Sequence, residues 1–124
     1  MLPECQFLVL VPELTPEARG MIGAKELAAL PKGAIVVNTG RGQVLDFDAL
    51  NDALESDQLF AAAIDAYFPE PLPADHPLLR NPKVTLSPHI AGTTVEASLQ
   101  LARSAADQIL TALSEHCPHS LSTR

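Results

Sequence analysis

Residues 34–42 read AIVVNTGRG, four apolar side chains that lead into an arginine between two glycines. The apolar run Ala34–Val37 predicts a strand buried on both faces, as in a parallel sheet. Gly40 and Gly42 allow a tight backbone that a side chain would obstruct. Arg41 is therefore expected at the carboxyl end of a buried strand, where open α/β sheets bind ligands. A guanidinium there can hold a carboxylate through two parallel hydrogen bonds, although it could instead cap a loop or pair with a surface acid.

Three further apolar runs complete the strands of one predicted sheet. The four runs are Phe7–Val11, Ala34–Val37, Ala61–Ile64 and Val84–Leu86. The first three are separated by residues 12–33 and 39–60, which are 22 residues each. Because this is the length of a crossover that holds one helix, the strands are expected to run parallel. The chain is predicted to be α/β, with a partial Rossmann-type parallel sheet of about four strands and a long C-terminal helix.

Both crossovers carry helix signals. Thr15 and Pro16 predict a helix start in the first crossover, where the stronger helical pattern is Ala24–Leu30. In the second crossover, Asp46 predicts an N-cap for a helix over residues 47–54. Right-handed crossovers are the default arrangement for such a chain.

After the third strand the pattern changes. Residues 66–83 hold five of the chain's eleven prolines, which nearly exclude a helix and favour a fixed loop. A long helix is predicted from Thr93, because Thr93 and Glu96 have the spacing of a capping box. Its apolar residues fall on one side at helical spacing, namely Leu99, Ala102, Ala106, Ile109, Leu110 and Leu113.

Composition and charge argue against several classes of function. The 124 residues are 47% hydrophobic and 19% charged, as in a folded globular domain. The net charge of −7 argues against a nucleic-acid partner, and no apolar run is long enough to predict a membrane span. Cys5 and Cys117 lack metal-type spacing and indicate reduced thiols in a cytoplasmic protein. His116, Cys117 and His119 lack the ligand set of a zinc module, so no metal is predicted.

Chemically capable side chains also follow the other predicted strands. Asp65 ends the third strand, Glu70 follows in the proline-rich loop, and His89 follows the fourth strand. With Arg41 they are expected at one edge of the sheet, where such folds place ligands. Each of the three also has a structural alternative. Asp65 could cap a helix or turn, Glu70 could be a solvated loop acid, and His89 could be satisfied by the backbone.

Together these four side chains fit one kind of chemistry. An acid beside a histidine stabilises the imidazolium, which can donate a proton to an oxygen that gains negative charge. An arginine in the same site can hold a carboxylate and polarise the adjacent carbonyl. The set fits reduction of a 2-oxo acid with a hydride from a cofactor. No Ser-His or Cys-His arrangement supports nucleophilic hydrolysis.

Five motifs, in their order and spacing, resemble the D-isomer-specific 2-hydroxyacid dehydrogenase family. They are Leu14–Glu17, Val37–Gly42, Ala63–Tyr67, Glu70–Pro73 and Ser87–Gly92. The resemblance runs from about Leu2 to about Leu113. It is closest to the glyoxylate/hydroxypyruvate reductase-like and phosphoglycerate dehydrogenase-like members. One departure is Gly40, where the family more often has alanine or serine.

The resemblance implies a role for each site residue. Arg41 would bind the substrate carboxylate, His89 would be the acid/base and Glu70 would pair with His89. Asp65 would contact the carboxamide of the nicotinamide. The implied cofactor is NAD or NADP, and the positions implied to bind it are Thr39, Gly40, Arg41, Asp65, His89 and Gly92. The implied substrate is a small 2-oxo or 2-hydroxy acid such as glyoxylate or hydroxypyruvate, and the implied state is a homo-oligomer such as a dimer.

The family's glycine-rich phosphate-binding turn, GxGxxG, is absent from the sequence. Residues 1–92 therefore resemble the second half of a dinucleotide-binding domain. Residues 93–115 resemble the helix that returns toward a substrate domain with no counterpart here, and residues 116–124 form a polar tail. The chain is expected to be inactive alone, and Phe7–Val11 is expected to be an unpaired apolar edge that favours association.

Three functions from different classes stay open on the sequence. The first is an NAD(P)H-dependent reductase of 2-oxo acids, or a fragment of one. The second is an NAD(H)-binding interaction protein like the corepressor branch of the same family, which keeps the same site motifs. The third is a non-catalytic remnant that is stable only as an oligomer.

Overall fold

The computed structural model describes residues 1–113. The chain divides into two compact units, residues 1–91 and the residues from Gly92 onward. The predicted features at His116, Cys117 and His119 lie outside the described residues, and the described cysteine, Cys5, is a free thiol. In the described part of the chain, no helix is both long and apolar enough to span a membrane.

The first unit is built on one parallel four-stranded sheet, as predicted. Its strands are β1 (Phe7–Leu10), β2 (Ala34–Asn38), β3 (Leu59–Ile64) and β4 (Val84–Leu86). They lie in the order β1-β2-β3-β4, and every neighbouring pair is parallel. All four carboxyl ends therefore meet at one edge of the sheet. Among the described residues β1 pairs with β2 alone, so it is an edge strand, as the sequence predicted.

The prediction that β2 is buried on both faces is wrong. Burial alternates along the strand, with Ala34, Val36 and Asn38 buried and the two residues between them only half-buried. Neighbouring strands repeat the alternation, so one face of the sheet stays open. That open face carries Phe7, Val9, Ile35, Val37, Ala61 and Ala63. The opposite face packs into a single hydrophobic core with the crossover helices, which cover only that side.

The two crossover helices are α1 (Ala24–Ala28) and α2 (Phe47–Glu55). The Asp46 side chain accepts a hydrogen bond of 3.0 Å from the amide of Ala49, so the predicted N-cap of α2 is confirmed. The predicted helix start at Thr15 is wrong. The Thr15 hydroxyl instead accepts from the amide of Ala18 within a turn, and α1 ends two residues earlier than predicted.

The proline-rich connection after β3 contains no α-helix, as predicted. Its one regular element is a 3-10 turn over Pro77–Arg80 that begins after His76, whose Nδ1 atom accepts from the amide of Leu78. Two further 3-10 turns cover Leu2–Glu4 and Gly42–Val44. The connection is ordered by local hydrogen bonds and packing, with Leu78 buried in the core.

The second unit holds the long helix α3 (Val95–Leu113). The predicted capping box on Thr93 is wrong by one residue, because the hydroxyl of Thr94 accepts from the amide of Ala97 at 3.0 Å. No residue of α3 is buried. The large apolar side chains of the predicted stripe are exposed, namely Leu99, Ile109, Leu110 and Leu113.

Candidate active site

The carboxyl edge of the sheet carries the four side chains that the sequence singled out. Arg41 follows β2, Asp65 follows β3, and His89 follows β4. Glu70 stands in the loop after β3, and that loop carries it to His89. The predicted placement on one edge is therefore what the fold produces, because parallel strands end on the same side.

Glu70 and His89 are in direct contact in the site. The Nδ1 atom of His89 lies 2.8 Å and 3.0 Å from the two carboxylate oxygens of Glu70. The two side chains are 40% and 45% exposed, so the pair faces solvent. Within the described residues Nε2 of His89 has no hydrogen-bond partner. A carboxylate on one ring nitrogen and a free second nitrogen is the arrangement of a general acid or base.

Asp65 is buried and organises the loop that carries His89. One of its oxygens accepts from the Ser87 hydroxyl at 2.5 Å and from the Ile90 amide at 2.8 Å, and the other accepts from the Ala91 amide at 2.9 Å. Burial alone would raise the pKa of Asp65. The hydrogen bonds from Ser87, Ala91 and Ile90, with the nearby His89, outweigh burial and hold the pKa below its ordinary value.

The backbone of His89 is in the left-handed region, with φ of 57°. A non-glycine residue reaches this region at a cost, and its neighbours must hold it there. The amides of the next two residues donate to Asp65, and the amide of His89 itself donates to the Ser87 carbonyl at 2.9 Å. These bonds fix the turn from which the imidazole projects.

The Arg41 loop is shaped by Asn38, a fully buried residue at the end of β2. The Asn38 side chain donates to the Arg41 carbonyl at 3.1 Å and accepts from the Gly40 amide at 3.2 Å. The Arg41 side chain is exposed, and its Nη1 donates to the Gly40 carbonyl at 2.9 Å. In the described part of the chain no hydrogen bond or ion pair joins Arg41 to Glu70 or His89.

Two glycines allow this loop to approach its neighbours. A Cβ atom on Gly42 would overlap the carbonyl group of Tyr67, so the loop after β2 packs directly on the backbone after β3. A Cβ on Gly40 would lie 2.9 Å from the Leu10 carbonyl oxygen, which brings that loop against the end of β1. Glycine at position 40 thus fits the local spacing.

Tyr67 and a cavity complete the site on the β4 side. The Tyr67 hydroxyl lies 3.0 Å from the Ile64 carbonyl oxygen and 2.6 Å from that of Ser87. A cavity of about 440 Å³ is lined by Tyr67, Glu70, Leu86 and Ser87, among others. Among residues 1–113, no group of three or more side chains is arranged to hold a metal ion.

Sequence reasoning missed the three residues that hold these loops, Asn38, Tyr67 and Ser87. Each stood inside a quoted motif, but none received a role. Tyr67 and Ser87 bond each other across 20 positions, and Ser87 bonds Asp65 across 22, so the tertiary structure fixes these partners. Asn38 bonds residues two and three positions away, and a polar side chain at the end of a buried strand was the available signal. Thr39 and Gly92 are both exposed, and Gly92 belongs to the second unit.

The fold is a Rossmann-type α/β domain, because its strands are parallel and each of the first two crossovers holds a helix. The acid–imidazole pair at the carboxyl edge of the sheet is a candidate proton-transfer site. The comparison with known families places it more narrowly. The model for the D-isomer specific 2-hydroxyacid dehydrogenase NAD binding domain matches residues 1–91. The chain belongs to this family.

Relatives of known function support the same placement. Glyoxylate/hydroxypyruvate reductase B of Pectobacterium atrosepticum is 42% identical over 114 residues, which are 92% of this chain and 36% of that protein. Mitochondrial formate dehydrogenase of Hordeum vulgare is 38% identical over 109 residues, which are 88% of this chain and 29% of that protein. The chain therefore spans about a third of the length of these curated relatives.

Solved structures share the fold over nearly the whole chain. The D-isomer specific 2-hydroxyacid dehydrogenase from Xanthobacter autotrophicus Py2, in complex with NADPH and MES, has a TM-score of 0.83 and 34% identity. The match covers 94% of this chain and 47% of the Xanthobacter chain. The NAD-dependent formate dehydrogenase from Staphylococcus aureus in complex with NAD has a TM-score of 0.74 and 30% identity. The match covers 92% of this chain and 34% of the Staphylococcus chain.

Proposed function

We propose that this chain supplies the catalytic side chains of an NAD(P)H-dependent reductase of small 2-oxo acids such as glyoxylate or hydroxypyruvate. The observation that carries the proposal is the Glu70–His89 pair, with Nδ1 of His89 2.8 Å from the carboxylate and Nε2 without a hydrogen-bond partner among residues 1–113. The relatives that this chain matches include a glyoxylate/hydroxypyruvate reductase. The activity is expected in the cytoplasm, as the pattern of its cysteines suggests.

Each residue of the site has a distinct task in this proposal. Glu70 stabilises the imidazolium of His89 through a charge-assisted hydrogen bond. Protonated His89 then gives its proton from Nε2 to the ketone oxygen as that oxygen gains charge, a contribution typically worth about 10²–10⁴ in rate. Arg41 leaves its contact with the Gly40 carbonyl and holds the substrate carboxylate through its two-pronged guanidinium.

The residues at the strand ends fit the nicotinamide end of NAD or NADP. Asp65 offers a buried carboxylate with a pKa held low, so it stays an acceptor beside His89. Thr39 is exposed and Gly40 is half-buried, at the place where the loop after β2 approaches the end of β1. The bound nicotinamide supplies the hydride. Because the sequence has no GxGxxG turn, we propose that the pyrophosphate is held by another polypeptide segment.

The test is a chimera in which this chain replaces the matched segment of the Pectobacterium atrosepticum reductase. Turnover is followed as NADH or NADPH oxidation with glyoxylate and with hydroxypyruvate. The chimera is expected to be active, and His89→Gln is expected to lower kcat by about 10² or more. His76→Gln is the matched control, since His76 lies at the 3-10 turn and bonds the Leu78 amide.

Two results would contradict the proposal. A folded chimera that binds NADH and turns over no 2-oxo acid would remove the activity. A chimera in which the His89 and His76 variants keep equal rates would remove the role of the Glu70–His89 pair.

The open edge of the sheet favours a second role, association with another chain. β1 has an unpaired edge, and Phe7, Val9 and Val11 are exposed beside it. An apolar, unpaired edge strand is a surface on which chains associate. We propose that the chain forms a homo-oligomer or pairs with another polypeptide there. Light scattering at high protein concentration measures the size of the natural chain and of Phe7→Lys. Two monomers of equal size would contradict association through β1.

A further inference from the structure

We propose that the Tyr67 hydroxyl is a positioning group that holds His89 for proton transfer. The hydroxyl acts through the Ser87 carbonyl, which it shares with the backbone amide of His89. The two hydrogen bonds to the Ser87 carbonyl are present in the structure whatever the reaction, whereas their effect on turnover rests on the proposed function.

Two donors converge on the Ser87 carbonyl oxygen. The Tyr67 hydroxyl approaches it at 2.6 Å, and the His89 amide donates to it at 2.9 Å across Pro88. This carbonyl therefore fixes the start of the turn in which His89 has φ of 57°. A second donor on the oxygen keeps the carbonyl from rotating, so the His89 amide keeps its partner and the left-handed turn is maintained.

The same tyrosine links the other two loops of the site. The backbone carbonyl of Tyr67 occupies the place that a Cβ atom on Gly42 would take, and Gly42 directly follows Arg41. Three residues further along, Glu70 meets His89. Tyr67 thus lies between the loops that carry the guanidinium, the carboxylate and the imidazole. A change in its position would be transmitted to all three.

The environment keeps the hydroxyl protonated as a donor. Burial is the largest cause that raises the pKa of Tyr67, and the negative charges of Asp65 and Glu70 raise it further, while the bond to Ser87 opposes them. The phenol oxygen therefore stays neutral over the range in which proteins function. Its hydrogen is shared between the carbonyls of Ser87 and Ile64, of which the first is nearer.

Hydrogen exchange of backbone amides tests the proposal on the chain itself. Tyr67→Phe keeps the ring and removes the hydroxyl. We expect the amides of His89, Ile90 and Ala91 to exchange about fivefold faster in this variant, the factor that one net hydrogen bond gives. Ser56→Ala is the matched control, because it removes a hydroxyl that donates to the Asp52 carbonyl at the other end of the sheet.

The pattern of exchange separates positioning from general loss of stability. Faster exchange confined to residues 89–91 supports the proposal. Equal acceleration in β2, or no change at residues 89–91, overturns it. If Tyr67→Phe does not fold, ultraviolet titration of the natural chain decides, since the sequence has one tyrosine and no tryptophan. A phenol that ionises at its ordinary pH is neither buried nor bonded, and that result also overturns the proposal.

Kinetics of the chimera give the functional readout. Tyr67→Phe is expected to lower kcat several-fold and leave KM for the 2-oxo acid unchanged, because Arg41 is not bonded to the hydroxyl. A change in KM alone overturns the effect on His89. Local exchange that speeds up in a chimera without turnover supports the positioning of His89 and contradicts only the proposed function.

Discussion

Asp65→Asn gives the sharpest test of how the His89 turn is held. The carboxylate of Asp65 accepts three hydrogen bonds, from the Ser87 hydroxyl and from the amides of Ile90 and Ala91. An amide side chain keeps one acceptor oxygen and turns an NH₂ group toward the remaining donors. At least one backbone amide then loses its hydrogen bond to the buried carboxylate, at about 1.5–3 kcal/mol for a bond to a charged group, and the charge-assisted character of the other bonds is lost.

Together these losses are expected to lower the free energy of unfolding by about 2–4 kcal/mol, a large part of the ~5–15 kcal/mol that stabilises a typical domain. Urea unfolding followed by circular dichroism measures the change, and the midpoint is expected to fall by about 1–2 M. Asp46→Asn is the matched control, because asparagine caps a helix as well as aspartate does. Equal midpoints in the two variants would refute the assignment of Asp65 as the organiser of this loop.

The pH dependence gives an independent check on the same carboxylate. The pKa of folded Asp65 is lowered, so its contribution to stability is complete above the unfolded pKa of about 3.9 and is lost as the pH falls through the folded value. The stability gap between the natural chain and Asp65→Asn is therefore expected to be constant between about pH 7 and about pH 5. It should narrow below about pH 4. A gap that widens on acidification would show that the charged form is not the stabilised one.

Four further substitutions test the loops around the site. Gly42→Ala is expected to lower the free energy of unfolding by about 3 kcal/mol or more, because its Cβ would overlap the Tyr67 carbonyl. Gly92→Ala, whose Cβ meets open space, should stay within about 0.5 kcal/mol of the natural chain in the same urea titration. Arg41→Lys in the chimera is expected to raise KM for the 2-oxo acid about 10- to 100-fold, since the two-pronged geometry is lost; an unchanged KM would exclude carboxylate binding by Arg41. Glu70→Gln should lower kcat about tenfold or more by removing the charge beside the imidazole, and equal kcat values would show that the pair is not used.

The strands and the edge that carries the site could be predicted because the chain marks them locally. Apolar runs give the strands, the 22-residue connections require parallel pairing, and Asp46 marks the start of α2. The burial of β2 could not be predicted, because a continuous apolar run looks the same whether one face of a sheet is covered or two. Thr15 and Thr94 show the same limit, since a hydroxyl caps whichever amide the backbone presents.

The candidate site divides in the same way between local and distant information. The positions of Arg41, Asp65, Glu70 and His89 follow from strand ends, and the contact between Glu70 and His89 followed from the family resemblance. The hydrogen bonds by which Asp65 and Tyr67 hold the His89 turn join residues about 20 to 26 positions apart, as between Asp65 and Ala91. No periodicity in the sequence encodes such a pairing, so the supporting groups became visible only in the folded chain.

The left-handed backbone at His89 bears on why an imidazole occupies this position at all. A glycine or an asparagine would adopt φ of 57° with less steric conflict. Selection for stability of the fold alone would therefore favour one of these two residues. Histidine at this position accepts backbone strain in exchange for the imidazole that the proposed reaction uses. Replacement of His89 by glycine is accordingly expected to leave the free energy of unfolding unchanged or higher, while removing the proton donor that we propose.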